Sequence, residues 1–192
     1  MSIRHTQDAV LDATRDCLLA VGVRRTTLTD VARRAGVSRM TLYRRWPDVA
    51  SLVGDLMTRE FGGLLEDTRP PAGESATARA LLVTHVATAV SALRANPVFR
   101  KIIDVDPELL LPYLLHRAGA SQSMALAVLL EYLTSGQRDG SIRAGDPQRV
   151  AGAVMLCMQS FALSAQVFGG DERELVGELR RVLDGYLGKG EQ

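Results

Sequence analysis

Residues 26–47 read TTLTDVARRAGVSRMTLYRRWP, and this stretch decides the fold. Thr27 stands where a helix N-cap is needed. A threonine oxygen there accepts one of the first-turn N–H groups that have no intrahelical partner. A short helix over Leu28–Ala35 follows, with Val31, Ala32 and Ala35 turned inward. Gly36 breaks it, because only glycine takes a left-handed turn residue at little cost. Ser38 caps a second helix over Arg39–Trp46, and Pro47 stops that one. The small Ala32 lets the two helices cross closely, Val37 plugs the space between them, and Leu42 holds the second helix down. Arg39, Met40, Thr41, Arg44 and Arg45 are then left facing outward. Two short helices joined by a glycine turn form a helix-turn-helix, a motif whose second helix enters the DNA major groove.

Charge supports that reading. The net charge is only +1, yet Arg24 to Arg45 holds seven arginines (24, 25, 33, 34, 39, 44 and 45) against one acid, Asp30. A concentrated cationic patch of this kind is the footprint of a phosphate-binding surface. Outward from it, Gln7–Ala20 forms a preceding helix capped by Thr6 and ended by Gly22, completing a three-helix core. On the other side Asp48 caps a fourth helix, whose apolar residues Val49, Leu52, Val53, Leu56, Met57 and Phe61 recur at helical spacing.

Residues 66–75, EDTRPPAGES, read as a connector because two prolines and a glycine leave little regular structure. Helices are expected beyond it near 77–94, 98–105, 107–116, 121–135, 146–168 and 171–187, with no convincing strand. The fold class is therefore all-α: an N-terminal three-helix DNA-binding domain plus a larger helical C-terminal domain. The expected boundaries are 1–47 for the first, a linking helix 48–65, and 66–192 for the second. No stretch approaches the roughly 18 uninterrupted apolar residues of a membrane span. The charged start MSIRHTQDAVLDATRD lacks a signal-peptide core, so a cytoplasmic location is expected. Cys17 and Cys157 lie in apolar helical patterns and are expected to be buried free thiols. His5, His85 and His116 lack the companions of a metal site, and no nucleophile–base or paired-carboxylate spacing is visible. Metal, cofactor and enzymatic activity are not expected.

The run Ala9–Leu56 resembles the DNA-binding domain of the tetracycline-repressor (TetR) family. The resemblance is carried in order and spacing by Thr26-Thr27, Leu28-Thr29-Asp30-Val31-Ala32, Ala35-Gly36-Val37-Ser38, Thr41-Leu42-Tyr43 and Trp46. Met40 stands where that family commonly has glycine, Arg45 where histidine is common, and Val49-Ala50 where lysine and glutamate commonly open the fourth helix. The expected DNA-binding set is Thr27, Ser38, Arg39, Met40, Thr41, Tyr43, Arg44 and Arg45. Thr27 and Tyr43 are assigned to phosphates. Arg39, Thr41 and Arg44 are assigned to base edges, an arginine on guanine being the commonest specific contact.

The resemblance implies that the C-terminal domain binds a ligand and dimerises. The sequence independently supports an interface, which would pair the protein with a palindromic operator. Leu175, Leu179, Val182, Leu183, Tyr186 and Leu187 form one stripe; Val150, Val154, Cys157, Met158, Phe161, Ala165 and Phe168 form another. The alternative, that both stripes serve one subunit's core, stays open. His85, Tyr113, His116, Gln159 and Phe161 are candidate effector contacts, polar or aromatic groups in apolar surroundings that favour a small apolar or amphipathic molecule. The expected mechanism is repression released by that effector, with the fourth helix as lever. The alternative is a DNA-binding regulator without an effector, controlled by a protein partner or by abundance.

Overall fold

The computed structural model describes residues 3–71, 73 and 76–189, and the described residues are helical with no strand. The helices are α1 (Ile3–Val21), α2 (Leu28–Ala35), α3 (Arg39–Arg45), α4 (Val49–Asp67), α5 (Ala78–Ala95), α6 (Pro97–Val105), α7 (Leu111–Leu115), α8 (Ala120–Arg138), α9 (Pro147–Ser164) and α10 (Glu172–Leu187). Short 3-10 turns cover Pro107–Leu110 and Ala165–Phe168. The helix bounds differ from expectation in several places, α8 running on to Arg138 and 107–116 dividing into a 3-10 turn and α7. α1 begins before Thr6, which therefore lies inside the helix, and α4 runs two residues past the expected start of the connector.

The chain divides into two compact units. One contains the residues up to Gly62 together with Asn96–Ala120, the other Gly63–Ala95 together with the residues from Ser121 onward. The expected partition placed everything from 66 to 192 in one domain, whereas α6 and α7 group with the N-terminal helices. The reason lies in long-range contacts that no local pattern encodes. Asn96 caps α6, its Oδ1 accepting from Val98 N at 2.9 Å and Phe99 N at 3.1 Å, with Pro97 in the first turn where its missing N–H costs nothing. The buried face of α6, Val98 and Ile102, joins Leu11 and Leu18 of α1, Val31 of α2, Leu42 of α3 and Leu52 and Leu56 of α4 in one core. At its end Asp106, 1% exposed, accepts a 2.7 Å hydrogen bond from Val23 N. Gly22 makes that approach feasible. Its φ is +83°, and a Cβ there would stand 2.9 Å from Asp106 Oδ2.

In the second unit α5 is central: it packs against α9 and α10 and buries Leu82, Val83, Val86 and Val90. Leu129 and Leu133 of α8, Val150 and Val154 of α9, and Leu179, Leu183 and Leu187 of α10 complete the interior. α9 starts at Asp146, whose side chain caps Gln148 N, and α10 at the Asp171–Glu174 capping box. Gly136 of α8 is there because Ile142, 1% exposed, occupies the space a Cβ would take.

Pro147–Phe168, α9 with the turn after it, is long and apolar enough by length and composition to cross a membrane, although its longest uninterrupted apolar run is only Val150–Met158. One expectation about α9 changes. The stripe expected at an interface largely faces inward: Val150, Val154 and Ala165 are buried, and Cys157, Met158 and Phe161 are half-buried. Leu156 of α9 is exposed instead (68%), and in the 3-10 turn that follows so are Val167 (76%) and Phe168 (86%), the latter from the expected stripe. On α10, Leu179, Leu183 and Leu187 turn inward while Val182 and Tyr186 stay exposed. A helix apolar on nearly every side gives no period from which to choose its buried face.

Candidate nucleic-acid interface

α2 and α3 are set by their caps. Thr27 is extended (φ −119°, ψ 149°), and its Oγ1 accepts from Asp30 N at 3.1 Å while donating to Asp30 Oδ2 at 2.6 Å. The Thr27 hydroxyl, followed by Arg33, holds the Asp30 carboxyl below the usual carboxylate range. The Thr27 proton is thus engaged within the protein. Gly36 takes φ 66°, ψ 29° and closes α2, its N–H reaching the Ala32 and Arg33 carbonyls. Ser38 Oγ accepts from Thr41 N at 3.1 Å and lies 2.8 Å from the Thr41 hydroxyl.

What remains outside is the reading surface. Leu42 (1% exposed) and Trp46 (4%) anchor α3 to the core, and Trp46 Nε1 donates to Asp55 Oδ2 of α4 at 2.9 Å. Thr27, Ser38, Arg39, Met40, Thr41, Tyr43, Arg44 and Arg45 are all exposed. At about 100° per residue, Met40 and Arg44, two positions either side of Leu42, lie on the face opposite the core.

The arginines then sort themselves. Arg24 pairs with Asp106 (3.7 Å) and with Glu108, Arg33 with Asp30 (3.0 Å) and Arg34 with Asp16 (3.3 Å), while Arg25 Nε donates to Val21 O (2.9 Å). Arg45 lies over the Trp46 ring at 5.1 Å. Among the described residues, no ion pair engages Arg39 or Arg44. Their guanidinium donors are therefore available to an incoming duplex. Sequence reasoning identified the exposed set but missed Asp55, because nothing in the spacing of Trp46 and Asp55 announces a contact between different helices.

The second unit holds a small pocket, with room for about one water molecule, lined by Leu65, His85, Ala89, Ala125, Tyr132 and Met158 among others. His85, 3% exposed, has Nε2 at 2.8 Å from the Leu65 carbonyl and Nδ1 at 3.2 Å from the Tyr132 hydroxyl. A carbonyl only accepts, so Nε2 carries the proton and Nδ1 accepts from Tyr132. Arg69 sits 5.9 Å from the Tyr132 ring and 3.5 Å from Glu131. Burial pushes the His85 pKa down, partly offset by the Leu65 carbonyl, and burial pushes the Tyr132 hydroxyl up.

Of the five expected effector contacts, only His85 lines this pocket. Gln159 and Phe161 are half-buried elsewhere in the second unit, while Tyr113 and His116 are exposed in the first. Tyr132 was not singled out, since one tyrosine in an apolar helix carries no distinguishing signal.

A pH dependence follows from His85. The unfolded side chain, near its ordinary value of 6.5, binds a proton more readily than the folded one. Stability from this residue is therefore complete above about pH 6.5 and is lost as pH falls toward the lower folded value. Melting the second unit at pH 7.5 and 5.5 should show a drop that His85→Gln reduces; an equal drop in both proteins would exclude His85 as its source.

The helical pair, its cap geometry and its unpaired outward arginines define a helix-turn-helix DNA-binding regulator. Comparison with known proteins agrees. The family described as bacterial regulatory proteins, tetR family, matches residues 10–56. Over 184 residues the chain is 36% identical to an HTH-type transcriptional regulator of Mycobacterium bovis, Mb2274c, covering 95% of this chain and 94% of that protein. Among solved structures it resembles the R. erythropolis transcriptional repressor QsdR (TM-score 0.69, 18% identity, 100% of both chains). It also resembles FadR from Bacillus subtilis in complex with stearoyl-CoA (TM-score 0.69, 18% identity, 94% of this chain and 98% of that one). The chain belongs to the TetR family of transcriptional regulators and is not an enzyme.

Proposed function

We propose that the protein is a cytoplasmic repressor that binds a palindromic operator as a homodimer and is released by a small apolar or amphipathic effector. The observation that carries this is the outer face of α3, where Arg39, Met40, Thr41, Tyr43, Arg44 and Arg45 are exposed and Arg39 and Arg44 have no acidic partner among the described residues. Two unpaired guanidinium groups beside Thr41 supply the donors that guanine O6 and N7 accept. The exposed apolar side chains of α9 (Leu156), of the 3-10 turn after it (Val167 and Phe168) and of α10 (Val182) support a second copy as cover, since exposed apolar patches of this kind mark association surfaces. The small pocket around His85 and Tyr132, a polar pair among apolar side chains, supports this part of the second unit as the place of an effector site, which the surrounding helices would have to open to admit a ligand. The FadR neighbour, solved with stearoyl-CoA, supports ligand binding within this fold.

Selecting duplexes with the full-length protein tests the first half. A palindrome is expected. Arg39→Ala should relax one position per half-site by about 1–3 kcal/mol, and Tyr43→Phe should weaken all sequences about equally. Identical specificity profiles for the two variants would remove Arg39 from the base-reading set. For the second half, an effector must bind one state better than the other to move operator affinity. A saturating pocket ligand that leaves operator affinity unchanged would favour control without a small-molecule switch.

A further inference from the structure

We propose that Met40 is a specificity-determining residue that reads the 5-methyl group of a thymine in each half-site. The proposal rests on the reading that α3 enters the major groove, and it adds a base that arginine cannot recognise. Met40 is 78% exposed at the second position of α3. Among the described residues before Val105, only Met40 and Tyr43 are large apolar or aromatic side chains left exposed. The surface around it is otherwise polar and cationic, with Arg39, Thr41, Arg44 and Arg45 all exposed, so its charge fits a duplex.

Chemistry narrows the target. Methionine offers no hydrogen to a phosphate or base edge, and the one apolar group displayed in the major groove is the thymine methyl. Its unbranched, polarisable side chain adapts to such a group without a fixed approach. Arg44 stands four residues on, on the same face. Four residues of α-helix rise about 6 Å, against about 3.4 Å per base pair along a strand. The thymine read by Met40 therefore lies one or two base pairs from a guanine contacted by Arg44.

The test begins with the operator selected by the full-length protein. Each thymine of a half-site is then replaced by uracil, which removes only the 5-methyl group. One replacement should weaken wild-type binding about fourfold, the worth of one buried methyl-sized group. Met40→Ala should lose about the same amount on the unmodified operator and become indifferent to uracil at that position. Met40→Leu should retain the sensitivity. An unchanged melting temperature and salt dependence in Met40→Ala would separate loss of readout from misfolding or loss of phosphate contacts. Wild-type binding that ignores uracil at every thymine, a half-site without thymine, or a Met40→Ala protein that keeps the uracil sensitivity would overturn the proposal while leaving DNA binding intact. A protein that selects no duplex at all would instead defeat the underlying reading of α3, and this proposal with it.

Discussion

Leu156→Glu is expected to leave each protomer folded, convert the protein to monomers, and weaken operator binding by about 10²- to 10⁴-fold. Leu156 is 68% exposed on α9, so replacing it removes little from the interior of its own unit. Across a twofold interface each substitution counts twice, and two carboxylates would be buried in an apolar contact without partners. A monomer binds one half-site at a time and forfeits the effective concentration that tethers the second reading head, a factor of that size. Light scattering and operator titration on the same sample check both parts. A Leu156→Glu protein that stays dimeric would place the interface on another surface.

Asp106→Ala is expected to cost about 2–3 kcal/mol in the first unit, and Asp106→Asn about 1 kcal/mol. The alanine variant strands Val23 N, a buried donor whose acceptor is now 2.7 Å away on a side chain 83 residues along the chain. The asparagine variant keeps an oxygen for that N–H and loses mainly charge. The charge is the smaller contribution because its partner Arg24 is 69% exposed and screened by water. Denaturant unfolding of both variants separates the two terms. Equal losses would mean that the negative charge, not the hydrogen bond to Val23, holds the turn. The consequence for function is direct, since Gly22 and Val23 lead into Thr27, the residue that starts α2 and with it the reading head.

Much of the DNA-binding unit was legible because its signals are local. Thr27 and Ser38 cap the helices they precede, Gly36 adopts the left-handed turn, and Leu42 and Trp46 are buried while their neighbours face out. Each of these follows from a few consecutive residues and the period of a helix. The pairing of arginines was not legible. Charge counting treated seven arginines alike, whereas acids or carbonyls from α1, α2 and the Asp106 turn hold four of them. That sorting leaves Arg39 and Arg44 as the unpaired pair, which depends on which surfaces the folded chain brings together.

The same division runs through the rest of the molecule. The amino-acid sequence on its own determined that the chain is helical, where most helices begin and end, and which short segment carries the reading head, because caps, glycines, prolines and apolar periodicity act within a turn or two. Tertiary structure alone decided that α6 and α7 join the N-terminal unit, that His85 meets Tyr132 and Leu65 while Tyr113 and His116 lie elsewhere, and that α9 turns Leu156 outward and Val154 inward. Those outcomes are fixed by contacts between residues tens of positions apart. In a helix apolar on almost every side, only its neighbours in space can choose which face is buried.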